Sequence, residues 1–528
     1  MKEDSQNEVK TAEDEGTGLS RRSLLKGAAA LSAAAIGGLA LNLAAPGSSE
    51  AGVRTLPKKW DQTYDVVVVG SGFAGHAAAA EAAADETKVV ILEKMPTYGG
   101  NSIINGGVYA SSDDKFHYRQ KLNLGDDSPK LHMEDTLKGG DYYNIPALVK
   151  VLAENATDAL NWMIDEGGAE IRPTVFRTGG HSAARTHAAK AGVGREYVEA
   201  LKRICEKRGV KIQVGSEVSW IWRKDANPES PVLGVEVKKG RTVYNIRIKR
   251  GLILAAGGFS QDIKMRMAHY PLLTPDFNCT NQKGATGEII RYSQAIGADT
   301  IQLNFIQLYP FADPDTGTLD TPALYPFNGP GTGIVYVTKL GKRFVNEMDR
   351  RDVCSFAQLK LGPTMRPTFT IFSDEMVSKF GGSHEEVEAG VKKGRFVQAD
   401  SIGELAQKAG LPPDALMDTI NKHNKYLTEG KDPEFNKPIN KDMFPLVNGP
   451  FYAVAQWPAV HFCMGGLRIN TDAQVVDIFG NVIPKLYAAG EVTGGIHGSN
   501  RLGSNSIPTC VVYGRIAGTN ARKEKSQA

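Results

Sequence analysis

The sequence predicts an α/β fold in which a discontinuous, Rossmann-like nucleotide-binding domain is interrupted by an inserted α+β segment. Three stretches carry this prediction. Residues 64–93 combine strand, glycine turn, helix and strand, residues 251–258 form a second apolar strand that ends in glycines, and residues 486–491 repeat that shape. Similar strands so far apart in the chain indicate one sheet that the chain leaves and later re-enters.

The first of these stretches is a complete dinucleotide-binding fingerprint. A short apolar strand, residues 65–69, leads into the turn glycines Gly70, Gly72 and Gly75, and a helix of small residues follows them. The first glycine allows a tight turn, the second lets backbone approach a pyrophosphate, and the third lets the helix pack on the strand. The next strand ends in Glu93, which we expect to accept a hydrogen bond from a ribose hydroxyl.

Length and composition exclude several classes of protein. A chain of 528 residues is long enough for two domains and a terminal segment, and its net charge of +3 is too small to indicate nucleic-acid binding. The five cysteines lie far apart without a C-x-x-C pair, which argues against a zinc ribbon or a dithiol site. The chain contains no C-x-x-C-H, so it attaches no c-type haem covalently, and we interpret its cysteines as mostly buried thiols.

Residues 1–51 are typical of a twin-arginine export signal. The paired arginines Arg21 and Arg22 precede a weakly hydrophobic run over residues 27–45, and small residues end the stretch. A transmembrane anchor is the alternative, because the run is nearly long enough to span a bilayer, but its glycine and alanine content makes it a poor anchor. We expect a protein that is exported folded, with its cofactor already bound, to the periplasm.

Two glycine-dense turns follow the fingerprint, at residues 98–102 and 104–107, and such turns let backbone N–H groups lie against a ligand. Residues 110–205 are predicted to be mainly helical, because apolar residues recur at helical spacing over residues 147–169. Three strands are predicted next, the last two as a hairpin, at residues 210–214, 232–237 and 242–248.

An inserted segment, residues 304–461, separates two parts of the nucleotide-binding domain, residues 60–303 and 462–528. Insertions at this place usually cover the ligand and close the site, so we predict a capping domain with proline-rich turns. Its predicted helices cover residues 401–408 and 414–426.

The ordered motifs of residues 60–522 resemble those of the flavin subunits of the fumarate reductase and succinate dehydrogenase superfamily. They are GSGFAG, GGNS, ILAAGGF, TGE, KRFVNE, HFCMGG and LYAAGEVTGGIHGSNRLGSNS. The likeness is strongest to the soluble flavocytochrome c fumarate reductases and their urocanate and other 2-enoate reductase relatives. It implies non-covalently bound FAD in a Rossmann-like domain with an α+β capping domain. By motif, the FAD-binding residues would be Gly70, Gly72, Gly75, Glu93, Asn101, Ser102, Gly107, Gly258, Glu491 and Ser506.

The resemblance also implies the residues that carry the reaction. Reduction of an activated C=C bond takes a hydride at the β carbon, supplied by N5 of reduced flavin, and a proton at the α carbon. Arg351 matches the family's catalytic arginine and would donate this proton, although guanidinium hardly titrates. His461 and Arg501 match the pair that grips a substrate carboxylate. The proton path to Arg351 stays open, with Glu347, Asp349 and Arg350 close in sequence.

The sequence departs from the fumarate reductases where those enzymes hold a second carboxylate. Tyr309 precedes proline in place of their histidine, as in the urocanate reductase branch, and their Thr-Glu pair falls on Pro326 and Phe327. Their relay arginine falls on Pro330, and residues 309–343 contain no Thr-Glu-x-x-Arg. We therefore expect a monocarboxylic enoate of the acrylate, methacrylate, cinnamate or urocanate type rather than fumarate, with Tyr309 and Phe327 at its binding site.

The chain has no second G-x-G-x-x-G for NAD(P)H, so we predict a separate c-type cytochrome as electron donor. No metal site, no nucleic-acid partner and no stable membrane insertion after signal removal are expected.

Three alternative functions remain. They are a fumarate reductase proper, a non-catalytic FAD electron carrier or sensor, and a flavoenzyme like the 3-ketosteroid dehydrogenases, in which Tyr309 would be the acid/base group without any need for Arg351, His461 or Arg501.

Overall fold

The computed structural model describes residues 54–225, 227–380 and 382–526. The chain divides into two units, Met1–Thr55 and Leu56–Ala528, and every element below belongs to the second. The predicted export signal therefore lies outside the described residues. Within those residues, no helix is both long enough and apolar enough to cross a membrane.

The described residues form eighteen strands, β1–β18. In chain order they are β1 Gln62–Val69, β2 Val89–Leu92, β3 Val108–Ala110, β4 Ile171–Phe176, β5 Thr186–Ala189, β6 Lys211–Gln213, β7 Glu217–Arg223, β8 Val232–Lys239, β9 Thr242–Leu254, β10 Thr300–Ile301, β11 Ile306–Ala312, β12 Val335–Val337, β13 Thr368–Ser373, β14 Phe396–Ala399, β15 Phe451–Cys463, β16 Gly466–Leu467, β17 Gln474–Val476 and β18 Val482–Ala488.

The same residues form fourteen α-helices, α1–α14, besides short 3-10 turns. They are α1 Phe73–Ala82, α2 Tyr118–Lys121, α3 Pro129–Gly139, α4 Pro146–Asp165, α5 Arg195–Lys207, α6 Ile263–His269, α7 Glu288–Ala295, α8 Thr321–Asn328, α9 Arg351–Leu361, α10 Asp374–Val377, α11 His384–Lys392, α12 Ile402–Ala409, α13 Pro413–Glu429 and α14 Ser506–Lys523.

A parallel sheet organises the nucleotide-binding part of the molecule. Its five parallel strands lie in the order β18-β9-β1-β2-β6, and antiparallel strands extend it to eight. Val66–Val68 are fully buried, as expected for a parallel strand that is covered on both faces. Leu486 pairs with Leu252, which confirms that the two distant glycine-ended strands belong to one sheet. The predicted α/β class and Rossmann-like sheet are therefore confirmed.

Helices α1 and α14 pack closely against each other because both present small residues. A Cβ atom placed on Gly518 of α14 would lie 2.2 Å from the carbonyl oxygen of Ala78 in α1. A side chain at this position would therefore force the two helices apart. Gly518 thus allows the close approach of α14 to α1.

A second, antiparallel sheet lies in the inserted segment. Its strands lie in the order β11-β15-β13-β12, and β14 also pairs with β15. The segment has its own hydrophobic cluster, which includes Tyr325, Phe372 and Phe396. Helices α12 and α13 confirm the two helices predicted here.

Two sequence predictions are wrong in detail. Residues 110–205 contain α2–α5, but β4 and β5 also lie there, in a three-stranded sheet with β3. The short strand β5, Thr-His-Ala-Ala, has no apolar alternation that would have revealed it. Residues 242–248 and 251–254 belong to one continuous strand, β9, which pairs with β8 near its start and with β1 near its end.

The cysteine prediction holds for three of the five residues. Cys205, Cys354 and Cys463 are buried free thiols, whereas Cys279 and Cys510 are partly exposed. None of the five forms a disulfide.

Candidate functional site

The turn between β1 and α1 is built for close backbone approach. Gly70 has a φ of 101°, which L-residues rarely adopt, and a Cβ atom there would lie 2.3 Å from the carbonyl oxygen of Ala255. A Cβ atom on Gly75 would lie 1.9 Å from the carbonyl oxygen of Gly70. Both positions therefore require glycine, for the conformational and packing reasons that the fingerprint implies.

A cleft follows this turn along the carboxyl ends of β1, β2 and β9. Helix α1, the 3-10 turn Gly100–Ile103 and residues 282–289 and 489–491 contribute to its walls. Six of the predicted cofactor residues line it, namely Gly70, Gly72, Glu93, Asn101, Ser102 and Glu491. The other four, Gly75, Gly107, Gly258 and Ser506, are not among the lining residues.

Glu93 braces the glycine turn. One carboxylate oxygen accepts hydrogen bonds from the backbone N–H and the hydroxyl of Ser71, at 3.1 and 2.5 Å, and the other accepts from the N–H of Met95 at 2.9 Å. A carboxylate has further lone pairs, so these bonds leave acceptor capacity for a ribose hydroxyl. The role of Ser71 was not predicted from the sequence.

The first glycine-dense turn is tied to two other parts of the cleft. The Ser102 hydroxyl oxygen accepts from the N–H of Phe73, the first residue of α1, at 3.0 Å. The Asn101 side-chain oxygen accepts from the N–H of Gln282 at 2.9 Å. These bonds hold the turn against the helix N-terminus, where an anion is favoured.

A second group of residues lies where the antiparallel sheet meets the loop before α14. Arg351 begins α9, His461 lies in β15, and Arg501 lies in the loop. We call these three residues the cationic cluster. Burial, and then the charges of Arg501 and Arg351, lower the pKa of His461 well below its ordinary value. The imidazole is therefore neutral at pH 7.

His461 lies at an irregularity of the strand pairing. Gln307 of β11 pairs with Phe462 and Leu308 pairs with Val460, so His461 is the extra residue between two paired positions. Such β-bulges redirect a side chain and are frequent beside active sites. Nδ1 of His461 lies 2.7 Å from the Thr280 hydroxyl, which fixes the orientation of the ring.

Arg501 is buried and only partly bonded. Its Nη2 donates to the side-chain oxygen of Gln307 at 2.9 Å, and its Nη1 donates to the carbonyl oxygen of Leu502 at 3.0 Å. The guanidinium carbon lies 4.7 Å from the centre of the Phe462 ring. Nε is buried without a hydrogen-bond partner among the described residues. Burial and the charge of Arg351 lower the pKa of Arg501 to about 9.

Arg351 lies between two aromatic rings. Its guanidinium carbon is 4.4 Å from the centre of the Phe327 ring and 5.4 Å from that of Tyr309. Its Nη1 is buried without a hydrogen-bond partner in the described part of the chain, and burial lowers its pKa. The cluster thus combines positive charge with unpaired donors, which suits an anionic ligand.

Tyr309 is poorly suited to proton abstraction. Its hydroxyl donates to the carbonyl oxygen of Ala323 at 2.9 Å, and burial raises its pKa. Both effects disfavour the tyrosinate form that the dehydrogenase alternative would use as a base.

Two residues close to Arg351 in sequence, Glu347 and Arg350, are engaged elsewhere. Glu347 pairs with Arg343 at 2.8 Å and with Lys437 at 3.3 Å. The neighbouring Arg350 pairs with Asp141 and Asp352, both at 2.6 Å. These pairs make Glu347 and Arg350 poor candidates for the proton path to Arg351.

Glu491 lies between the cleft and the cationic cluster. Its Oε1 accepts from the N–H of Cys463 at 3.0 Å. Burial raises the pKa of this carboxyl to about 7, although the backbone bond and the charge of Arg501 oppose the shift. The cleft and the cluster are thus electrostatically connected through Glu491 and Arg501.

A family model described as FAD binding domain matches residues 65–507. The chain belongs to the fumarate reductase and succinate dehydrogenase family of FAD-dependent flavoproteins. This membership confirms the predicted family, and with it the prediction of an FAD-dependent oxidoreductase that acts on CH–CH bonds.

Three comparisons locate this flavoprotein within its family. It is 36% identical to the acrylate reductase flavoprotein subunit of Shewanella woodyi, over 94% of this chain and 97% of that protein. It is 35% identical to the urocanate reductase of Eggerthella lenta, over 89% of this chain and 77% of that protein. An open-conformation structure of a flavocytochrome c3 fumarate reductase superposes with a TM-score of 0.73 and 30% identity, over 98% of this chain and 83% of that chain.

The cleft of the flavoprotein fits FAD. The glycine turn leaves its backbone open to a ligand, at positions where a Cβ atom would collide with neighbouring backbone. Glu93 offers acceptors at the expected ribose position, and Glu491 lies at another part of the cleft wall. Such a cradle suits a pyrophosphate and its nucleoside. When bound and reduced, FAD supplies a hydride to the substrate.

Several residues of the site were not predicted. Gln307 lies two positions before Tyr309 on β11, so strand periodicity could have placed both side chains on one face. No sequence signal could have found Thr280, because it meets His461 only through the fold. Lys94 and Glu288 both line the cleft and form an ion pair at 3.1 Å, and they come from separate motifs.

Proposed function

We propose that this flavoprotein reduces the C=C bond of an α,β-unsaturated monocarboxylate. The observation that carries this proposal is the cationic cluster, in which Nη1 of Arg351 and Nε of Arg501 are buried without partners among the described residues. Buried unpaired donors are costly, and a substrate carboxylate would satisfy them. The named relatives include acrylate, urocanate and fumarate reductases, so the substrate class is consistent with the family.

In this proposal Arg501 and His461 bind the substrate carboxylate. Arg501 offers its unpaired Nε, and the neutral His461 offers its Nε2, since Nδ1 faces Thr280. The positive charge of Arg501 stabilises the negative charge that develops beside the carboxylate as the β carbon accepts a hydride. Arg351 then donates a proton to the α carbon and is reprotonated from solvent.

Aromatic groups support a monocarboxylate over a dicarboxylate. Tyr309 and Phe327 both flank Arg351 and carry no charge, and the hydroxyl of Tyr309 is already bonded to Ala323. A second carboxylate at these rings would lose its hydration without a cation of its own, because this proposal assigns Arg351 to proton transfer and Arg501 to the first carboxylate. Acrylate, methacrylate, cinnamate and urocanate are therefore the preferred candidates.

We further propose that FAD is bound non-covalently. The described residues that line the cleft include no histidine, and burial raises the pKa of the lining thiol, Cys510, to about 12. A thiolate that could attack the flavin is therefore disfavoured. Acid precipitation of the holoenzyme should release all of the flavin into the supernatant, and flavin retained in the pellet would contradict this proposal.

The electron donor that we propose is a separate c-type cytochrome, in a periplasm reached through the twin-arginine signal of residues 1–51. The proposal is supported by the signal-like sequence and by the cytochrome-containing fumarate reductases among the relatives. A reduced periplasmic c-type cytochrome should reoxidise in the presence of the flavoprotein and an enoate, whereas NADH should not.

A substrate panel tests the reaction. The purified FAD protein is supplied with a reduced viologen dye under anaerobic conditions and offered acrylate, methacrylate, cinnamate, urocanate or fumarate. We expect the highest kcat/KM for one of the four monocarboxylates. Fumarate as the fastest oxidant would contradict the proposed substrate, and a protein inert with all five acids would contradict the proposed activity.

A further inference from the structure

Gln307 is a buried side chain in direct contact with Arg501. Only 2% of its surface is exposed. Its side-chain oxygen accepts from Nη2 of Arg501 at 2.9 Å, and its nitrogen donates to the carbonyl oxygen of Arg501 and to the side-chain oxygen of Asn500, both at 2.8 Å. One amide therefore holds both the backbone and the guanidinium of the same arginine.

These partners determine the orientation of the amide. The guanidinium can only donate, so it must face the amide oxygen, and the two acceptors must face the amide nitrogen. The backbone of Gln307 pairs with Phe462, whose ring lies 4.7 Å from the guanidinium carbon of Arg501. Two paired residues therefore hold Arg501. Gln307 of β11 contacts it through its amide, and Phe462 of β15 contacts it through its aromatic ring.

Because the Gln307 amide is neutral, it does not offset the positive charge of Arg501. A glutamate at the same place would form a buried ion pair with the guanidinium and would neutralise it. The amide accepts the same hydrogen bond but leaves the positive charge of Arg501 available to a third group. Nε of Arg501 still has no partner in the described part of the chain, so one donor also stays available.

We propose that Gln307 is a positioning residue that presents Arg501, still fully charged, to the carboxylate of the substrate. This inference rests on the proposed function, in which Arg501 binds that carboxylate. Gln307 does not touch the reacting carbons in this scheme, and it acts only through Arg501. Its removal should therefore weaken carboxylate binding more than it slows the reaction of bound substrate.

The test uses the holoenzyme and two variants, Gln307→Glu and Gln307→Met. Propionate, a saturated monocarboxylate, serves as the binding probe, read from its perturbation of the flavin absorbance spectrum. KM and kcat for the best enoate of the panel are measured in parallel between pH 5.5 and 8.5. Gln302→Glu is the control, because Gln302 accepts from the N–H of Gly495 and donates to the carbonyl oxygen of Tyr143.

We expect Gln307→Glu to raise the propionate Kd and the KM about 10- to 100-fold at pH 8, with a smaller fall in kcat, because the charge of Arg501 also stabilises the transition state. Both constants should return toward the wild-type values as the pH falls, because protonation of the introduced carboxylate restores the charge of the site. Gln307→Met should raise KM at every pH, since it removes the acceptor without adding charge. Gln302→Glu should leave KM and its pH dependence unchanged.

The possible failures are distinguishable. A wild-type holoenzyme that neither binds propionate nor reduces any enoate would overturn the proposed function and this inference with it. Wild-type propionate binding together with a Gln307→Glu KM that equals the wild-type KM at every pH would overturn the inference alone. If Gln307→Glu does not fold, Gln307→Met decides the question. A wild-type KM in Gln307→Met would overturn the inference, and a raised KM with preserved kcat would support it.

Discussion

The guanidinium carbon of Arg351 lies 4.4 Å from the centre of the Phe327 ring. An aromatic face attracts a cation without accepting its proton, unlike a carboxylate. Arg351 is therefore held in place while Nη1 stays free of any hydrogen-bond partner in the described residues. This arrangement suits a group that must deliver a proton to a carbanion-like centre.

Replacement of Arg351 by lysine should displace the proton donor, because the ammonium group does not reproduce the reach and planar geometry of the guanidinium. Because a positioned acid typically contributes about 10²–10⁴-fold, we expect kcat for enoate reduction to fall by at least about 100-fold. FAD content, measured from the visible spectrum, should be unchanged, since Arg351 does not line the cleft. Arg350→Lys is the matched control, because Arg350 pairs with Asp141 and Asp352 instead. Undiminished reduction by Arg351→Lys would rule out the proposed mechanism.

Replacement of Phe327 by leucine should loosen Arg351 without adding charge. Cation–π contacts contribute roughly 0.5–2 kcal/mol, which corresponds to a fall in kcat/KM of about 2- to 30-fold. The control is Phe396→Leu, which removes an aromatic ring from the hydrophobic cluster of the inserted segment. An equal loss of kcat/KM in both variants would indicate a general packing effect and contradict a specific role for Phe327.

Carboxylate binding should be accompanied by proton uptake that grows as the pH falls below 7. In the free protein, burial and the charges of Arg501 and Arg351 lower the pKa of His461, so the ring is neutral. A bound carboxylate favours the imidazolium form and raises that pKa, so affinity should increase as the pH falls. Calorimetric titration of the holoenzyme with propionate, in two buffers of different ionisation enthalpy, measures the uptake. His461→Gln should abolish it, and proton release on binding would contradict the assignment.

Replacement of Gly75 by alanine should prevent FAD binding. The new Cβ atom would lie 1.9 Å from the carbonyl oxygen of Gly70, so the turn or α1 must shift. Overpacking of this kind costs about 1–3 kcal/mol or more, and the melting temperature should fall with the FAD content. Gly106→Ala is the control, because a Cβ atom there has no neighbour within 4 Å. Normal FAD content in Gly75→Ala would show that the turn tolerates the shift.

Much of the fold could be predicted from the sequence because its signals are local. The strand, turn and helix of the fingerprint lie within 30 consecutive residues, and each glycine there has a backbone reason that does not depend on distant parts of the chain. Helices α12 and α13 could also be predicted from the sequence, since amphipathic spacing and capping residues are local patterns. The short strands β4 and β5 were missed because they have no such pattern.

The geometry of the candidate site could not be predicted in this way, because it depends on residues from separate elements. Motif resemblance could nominate Arg351, His461 and Arg501, but it could not show that two of their nitrogen atoms are buried without partners among the described residues. It also could not show that His461 occupies a bulge or that Gln307 holds Arg501.

The sequence by itself therefore determined the nucleotide-binding sheet and the family. Only the tertiary structure decided how the cationic cluster is bonded and which neutral side chain positions its arginine. The physical reason is that strand register and loop packing, not sequence spacing, bring β11, β15 and the loop before α14 within hydrogen-bonding distance.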